Sequence, residues 1–223
     1  MLLSAFPADR LRGYGLLGIQ LDRDIGAPEV SYRSVNLDAD PEPESILVTS
    51  DGRASNAYVF DRQPGAWWIV GEFGYSWHWS EEQAERFIAL QPLVSDGMDI
   101  LIRDEAGGTN VRETDLSIYR LLHGRLYRTF QATEAHSHDT FDTNIYVDER
   151  AEIEVEHEQG SPVLIVRRRT DTTPKNPPDA KATTKRTCAV WRWNPAQYRF
   201  VTDTSASART LCASQSLTRS RLH

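Results

Sequence analysis

The sequence holds little that would mark an enzyme or a membrane protein. Its 223 residues include only two cysteines, Cys188 and Cys212. They form no disulfide framework and no Cys-x-x-Cys pair, so they give neither a zinc nor a dithiol redox signature, and one bridge is the most they allow. Basic residues are in deficit: 25 Lys and Arg against 32 Asp and Glu give a net charge of −7. Nucleic acid is therefore not expected as a partner, because no basic surplus exists to neutralise phosphates. No window reaches the roughly 18 consecutive apolar residues of a membrane helix, so no membrane span is expected. Also missing are the Gly-x-Ser-x-Gly elbow, the phosphate-binding loop, Gly-x-Gly-x-x-Gly and His-Glu-x-x-His. A pair of glycosidase carboxylates carries no local motif, so a hydrolase using unmarked carboxylates stays open. The stretch Met1 to Arg10 lacks the basic region and apolar length of a signal peptide. Either the protein stays in the cytoplasm or a targeting segment has been removed.

Hydrophobic residues make up 39% of the chain, aromatics 9% and charged residues 26%, with mean hydropathy −0.51. That is enough for one large β domain or two small ones, with a sizeable core. The stretch Met98 to Phe130 shows how it is built. Ile100-Leu101-Ile102 is a short aliphatic run, Glu105 to Asn110 a loop, and Leu116 to Leu121 a β-rich run. His123-Gly124 is a tight turn, and Arg125 to Phe130 returns as another strand. Elsewhere, Glu29 to Val35, Ser45 to Thr49, Asn56 to Phe60 and Trp67 to Phe73 read as strands. So do Ala151 to Glu156 and Val163 to Val166, and a hairpin spans Arg186 to Val201. Ser80 and Gln83 have capping-box spacing, and Ala84, Phe87 and Ile88 share a helical face. One short helix is therefore expected near 80–91, stopped by Pro92. Gln131 to Asn144 and Asp171 to Lys185 read as loops, and the Ser-, Arg- and Thr-rich residues 205–223 as a poorly ordered tail.

Aligned, these pieces give about three copies of one unit, at 29–75, 80–131 and 151–202, within a single all-β domain over 1–204. Each has a short aliphatic strand (Ile46-Leu47-Val48, Ile100-Leu101-Ile102, Leu164-Ile165-Val166) followed by two aromatic strands. The expected fold class is mainly β, with antiparallel four-stranded meander repeats, either propeller-like or an open, curved β-sandwich. The segment Val35-Asn36-Leu37-Asp38-Ala39-Asp40-Pro41-Glu42-Pro43-Glu44-Ser45-Ile46-Leu47-Val48 resembles the FG-GAP/VCBS type of β-propeller repeat. There an acidic loop precedes a short aliphatic strand and a Tyr-rich strand follows. This chain has Pro41-Glu42 where that family has a loop glycine. Three blades do not close a ring, since propellers have at least about four, and oligomerisation would cover the edges.

Three clusters carry candidate chemistry. Asp38, Asp40, Glu42 and Glu44 alternate, a spacing that can turn carboxylate oxygens toward one hard cation, with calcium the natural choice. Pairing with Arg33 or Arg53, or plain exposure to water, would also offset their repulsion. His136, His138 and Asp139 offer two imidazoles and a carboxylate to a transition metal; a polar surface loop is the plainer reading. Tyr75, Trp77 and Trp79 alternate, as a platform for a carbohydrate or protein ligand or as part of a core. No catalytic residue stands out and no cofactor other than calcium is implied. The repeat pattern and the resemblance imply a non-catalytic binding or interaction module, periplasmic or secreted. The alternative is a metal-dependent or carboxylate-based hydrolase.

Overall fold

A computed structural model describes residues 29–50, 54–63, 66–77, 87–95, 97–140, 144–176, 181–213 and 220–222. The chain is mainly β and almost entirely a meander. The first sheet runs in sequence order through β1 (Glu29–Val35), β2 (Glu44–Ser50), β3 (Ala54–Gln63) and β4 (Ala66–Trp77). The second takes β5 (Ile88–Gln91), β6 (Asp99–Gly107), β7 (Val111–Leu122), β8 (Arg125–Thr140), β9 (Ile145–Glu158), β10 (Ser161–Pro174), β11 (Thr183–Asn194) and β12 (Arg199–Asp203), again each beside its predecessor. Every pairing is antiparallel. A last short strand, β13 (Ser220–Arg221), returns to pair with β9. Neither sheet closes into a ring among the described residues.

The aliphatic strands β2, β6 and β10 are covered on both faces, which is why they read as continuous rather than alternating runs. On β6, Ile100 and Ile102 enter one core cluster and Leu101 the other. On β10, Leu164 and Val166 face the core that holds Leu101, while Val163 and Ile165 face a third cluster. The cluster around Ile100 joins the two sheets: Ile46, Val59 and Phe73 from the first meet Ile88, Ile100 and Leu121 from the second, with Phe73 and Tyr119 rings 4.7 Å apart. The second sheet curls, so that Phe130 on β8 sits edge-on to Trp191 and Phe200 on β11 and β12, at 5.4 and 6.1 Å. Tight turns fit the strand twist. His123 and Gly124 have φ of 51° and 70°, and Gln159 and Gly160 have 51° and 81°, the doubly positive pattern of a type I′ hairpin.

Several local expectations give way to tertiary pairing. Of the helix expected over 80–91, residues 80–86 lie outside those described, and Ile88–Gln91 form strand β5. Ile88 pairs with Ile102, and Arg103 N donates to Phe87 O at 2.9 Å. Backbone partners supplied by β6 thus outweigh the helical spacing of Phe87 and Ile88. The polar stretch after Phe130 continues β8 to Thr140, and β10 and β11 extend through Pro174 and from Thr183. The helix of the described chain is α1 (Ala206–Ala213), inside the stretch expected to be an unstructured tail. Its hold on the sheet explains it. Ser205 Oγ accepts from Ala208 N at 3.3 Å as an N-cap. Ala208 and Leu211 pack on Val163, Ile165 and Val190. Arg167 donates to the carbonyls of Leu211 and Cys212 at 3.2 and 2.6 Å, satisfying the helix C-terminus. Cys212 is bonded to Cys188 on β11 across 24 residues of sequence, a closure that contributes about 3 kcal/mol on chain-entropy grounds.

One buried ion pair organises the loop between β5 and β6. Asp99 Oδ2 accepts from Leu93 N and Val94 N, both at 3.2 Å, and from Arg120 Nη1 at 3.1 Å. Arg120 also donates to Val94 O at 3.3 Å and Ser95 O at 2.5 Å. Asp99 is 0% and Arg120 4% exposed, so the pair is held out of water and each ion depends on the other. The loop so fixed brings Gly97 against Leu37. Gly97 has φ of 139°, and a Cβ there would lie 2.4 Å from Leu37 O; only glycine permits the approach.

Candidate functional site

The turn between β1 and β2 is built by its own acidic side chains. Asp38 Oδ1 accepts from Asp40 N at 2.9 Å, Asp40 Oδ1 from Glu42 N at 2.8 Å, and Asn36 Nδ2 donates to Asp40 O. These side-chain-to-backbone bonds coil the chain tightly, the habit of Asp and Asn in turns. At the end of the turn Glu44 begins β2 and points inward. It is 0% exposed, and its Oε2 accepts from Leu37 N at 2.5 Å. Its Oε1 is buried with no hydrogen-bond partner among the described residues.

One oxygen each of Asp38, Asp40 and Glu44 lie within 4.8 Å of one another. Glu42, the fourth acidic residue of the turn, is exposed and contributes its backbone N–H rather than a ligand atom to this group. Burial pushes the Glu44 carboxyl up to about 7, against the lowering hydrogen bond from Leu37 N; the charges of Asp38 and Asp40 add to the rise. Among the described residues no ion pair with Lys or Arg neutralises any of the four. Arg33 is exposed on β1, and Arg53 lies outside the described residues. A buried carboxylate with an unsatisfied oxygen beside two further carboxylates is an unfavourable arrangement unless a proton or a cation completes it. All-oxygen donors of this kind suit a hard divalent ion such as calcium, with backbone carbonyls and water filling the remaining positions.

The histidine cluster is arranged differently. His136 and His138 are two apart on β8 and share a face, with ring centroids 5.0 Å apart. His136 Nδ1 meets Glu113 Oε2 at 2.8 Å and its Nε2 meets His138 Nδ1 at 3.0 Å, so both its nitrogens are engaged. Asp139 is not brought to them. As the next residue along a strand it points to the other face, where it pairs with Lys175. Of the aromatic row, Tyr75 and Trp77 lie at alternate positions of β4; their side chains, and Trp79 entirely, lie outside the described residues.

Open cavities lie elsewhere, on the second sheet. One of about 490 Å³ includes Asp115, Arg168 and Trp191 in its lining. Another, about 670 Å³, lies between β8 and β9 and is lined by Arg103, Glu134, His136, Arg150, Ile153 and Leu222 among others. Its charges are largely spoken for: Arg103 pairs with Glu134 at 2.8 Å and Arg150 with Asp148 at 3.2 Å. Arg103, 2% exposed, escaped the sequence reading, although a signal was present. It follows Leu101 by two on a strand and so places a charge on an apolar face. Comparison with protein-family models, with curated proteins and with solved structures gave no match.

Proposed function

We propose that the protein is a non-catalytic binding module of the β-repeat class, with a divalent-cation site, calcium by ligand type, at Asp38, Asp40 and Glu44. The observation that carries this reading is the Glu44 carboxylate, fully buried, with one oxygen lacking a partner among the described residues, beside two other carboxylates. A cation there would join the acidic turn to the sheet core, because Glu44 begins β2 and its neighbour Leu37 packs with Ile46 and Ile100. The module would then act outside the cytoplasm, where calcium is plentiful. The Cys188–Cys212 bond supports that location, because such bonds persist in oxidising compartments. The ligand the module presents itself to would be a protein or a carbohydrate.

Calcium that binds the folded state alone must raise the unfolding temperature with concentration, as linkage requires. Purified protein stripped with chelator is titrated with calcium and with magnesium while unfolding is followed by tryptophan fluorescence. The expected result is a rise with calcium that is lost in Asp38→Asn/Asp40→Asn, whose fold is checked by circular dichroism. No shift at about millimolar calcium, the weak end of known sites, would remove the cation from this reading.

A further inference from the structure

β8 and β9 are hydrogen-bonded only over Ala135–Thr140 and Ile145–Arg150. β8 pairs with β7 from Arg125 to His138, and from Ala151 onward β9 is no longer paired with β8. Ser220 and Arg221 fill this edge, opposite Val155 and Glu154. Leu222 N donates to Ile153 O at 3.1 Å, and the Leu222 side chain, 5% exposed, enters the core with Leu101, Ile153 and Val155. The chain thus adds a strand to its own sheet edge, the way extended peptides are recognised.

Arg103 shows what this edge is shaped to take. One edge of its guanidinium, Nε and Nη2, is filled by the two oxygens of Glu134 at 2.8 and 3.1 Å. The other edge, Nη1 and Nη2, meets a single acceptor: Nη2 donates to Leu222 O at 3.1 Å. Nη1 is buried with no partner among the described residues. A backbone carbonyl has one oxygen and leaves half of this fork unmet. A carboxylate has two and matches it. In this chain Leu222 is followed by His223, so its carbonyl belongs to a peptide bond.

We propose that the open edge of β9 is a docking groove for the C-terminus of an extended peptide whose last residue is leucine with a free carboxylate, and that Ser220–Leu222 occupies it in cis. The leucine side chain enters the pocket beside Ile153 and Val155, the backbone pairs with β9, and the carboxylate takes Nη1 and Nη2 of Arg103. The peptide competes with the cis segment for the same groove, bringing a carboxylate where the cis segment offers Arg103 one carbonyl oxygen. This groove lies on the second sheet and stands whether or not the acidic turn takes a cation.

The test uses the full chain and a fluorescein-labelled peptide, Leu-Thr-Arg-Ser-Arg-Leu, as free acid and as C-terminal amide, read by anisotropy. Leu222→Asp should expel the cis segment and strengthen acid binding at least about tenfold over the unmodified chain. The acid should bind at least about tenfold more tightly than the amide, and Arg103→Lys, which keeps the charge but loses the fork, should erase that difference. Equal binding of acid and amide, or discrimination that survives Arg103→Lys, would overturn the proposal. Should Leu222→Asp fail to fold, the unmodified chain still decides. Hydrogen exchange at the Leu222 amide should quicken with millimolar acid peptide and not with the amide peptide, and an unchanged rate refutes displacement.

Discussion

Replacing Arg120 by methionine is the sharpest probe of how the acidic turn is held. The arginine stem is about as long as methionine, so packing is largely kept while the charge is lost. Asp99, 0% exposed, would then be a buried carboxylate with only two backbone N–H donors, from Leu93 and Val94. Breaking such a pair from one side costs about 3–5 kcal/mol, because a charge is stranded out of water. Adding Asp99→Asn should return part of that loss. The amide oxygen still accepts from both N–H groups and no charge remains, so coupling of about 0.5–3 kcal/mol is expected between the two sites. The pH dependence follows. Burial already holds the Asp99 carboxyl above the usual carboxylate range, opposed by the charge of Arg120. Without Arg120 it rises further. A raised carboxyl contributes stability that is present below its unfolded value and lost as pH climbs through its folded value. The deficit of Arg120→Met should therefore be smaller near about pH 5 than near about pH 8. Urea unfolding of the four proteins of the cycle, read by tryptophan fluorescence, gives each number. A deficit under about 1 kcal/mol, strict additivity, or a deficit that does not change with pH would refute the reasoning. Because this pair fixes the loop that sets Gly97 on Leu37, Arg120→Met should also weaken any calcium effect on the turn.

Two further outcomes bear on the core and the turn. Ile100→Ala removes a side chain that is 0% exposed and should cost about 2–5 kcal/mol; an unchanged urea midpoint would contradict its place between the sheets. In chelator, the Glu44 carboxyl, raised from 4.5 to about 7, contributes stability that is full below about pH 4.5 and lost as pH rises through about 7, at most about 3 kcal/mol. Glu44→Gln should flatten that part of the pH–stability profile, and superimposable profiles for the two proteins would show that Glu44 does not titrate in this way.

Much of the β architecture was legible because local signals and tertiary needs agree there. Ile46-Leu47, Ile100-Leu101-Ile102 and Leu164-Ile165-Val166 are apolar without alternation because both of their faces are covered, and His123-Gly124 turns where its dihedrals allow. Where local signal and pairing diverge, the sequence misled. The spacing of Ala84, Phe87 and Ile88 suggests a helix, but the backbone partner of Ile88 is Ile102, which is remote in sequence. The residues after Phe130 are polar because β8 runs out along the groove, where His136 and Glu113 face solvent, not because the strand ends. α1 is made mostly of small residues, with Leu211 its one large apolar side chain, and what secures it lies elsewhere: Arg167 at its C-terminus and Cys188 across the bridge. In the acidic turn the four carboxylates were visible, but their division was not. Only the fold shows that Glu44 turns inward at the first residue of β2 while Glu42 stays outside.

The meander also sets an order of assembly. Each strand from β2 to β4 and from β6 to β12 finds its partner immediately before it in the chain, so loops to be closed are short and their entropic cost is small. Chain emerging from a ribosome can add one strand at a time to an edge already formed. β13 breaks that rule: Ser220 must find Val155, with β10, β11, β12 and α1 intervening. Its docking is the last and most remote strand pairing of the described chain, so the edge of β9 stands open while β10, β11, β12 and α1 are made. During that interval the growing sheet exposes a template for unrelated strands, and sealing it falls to Ser220, Arg221 and Leu222, which follow α1 in the chain.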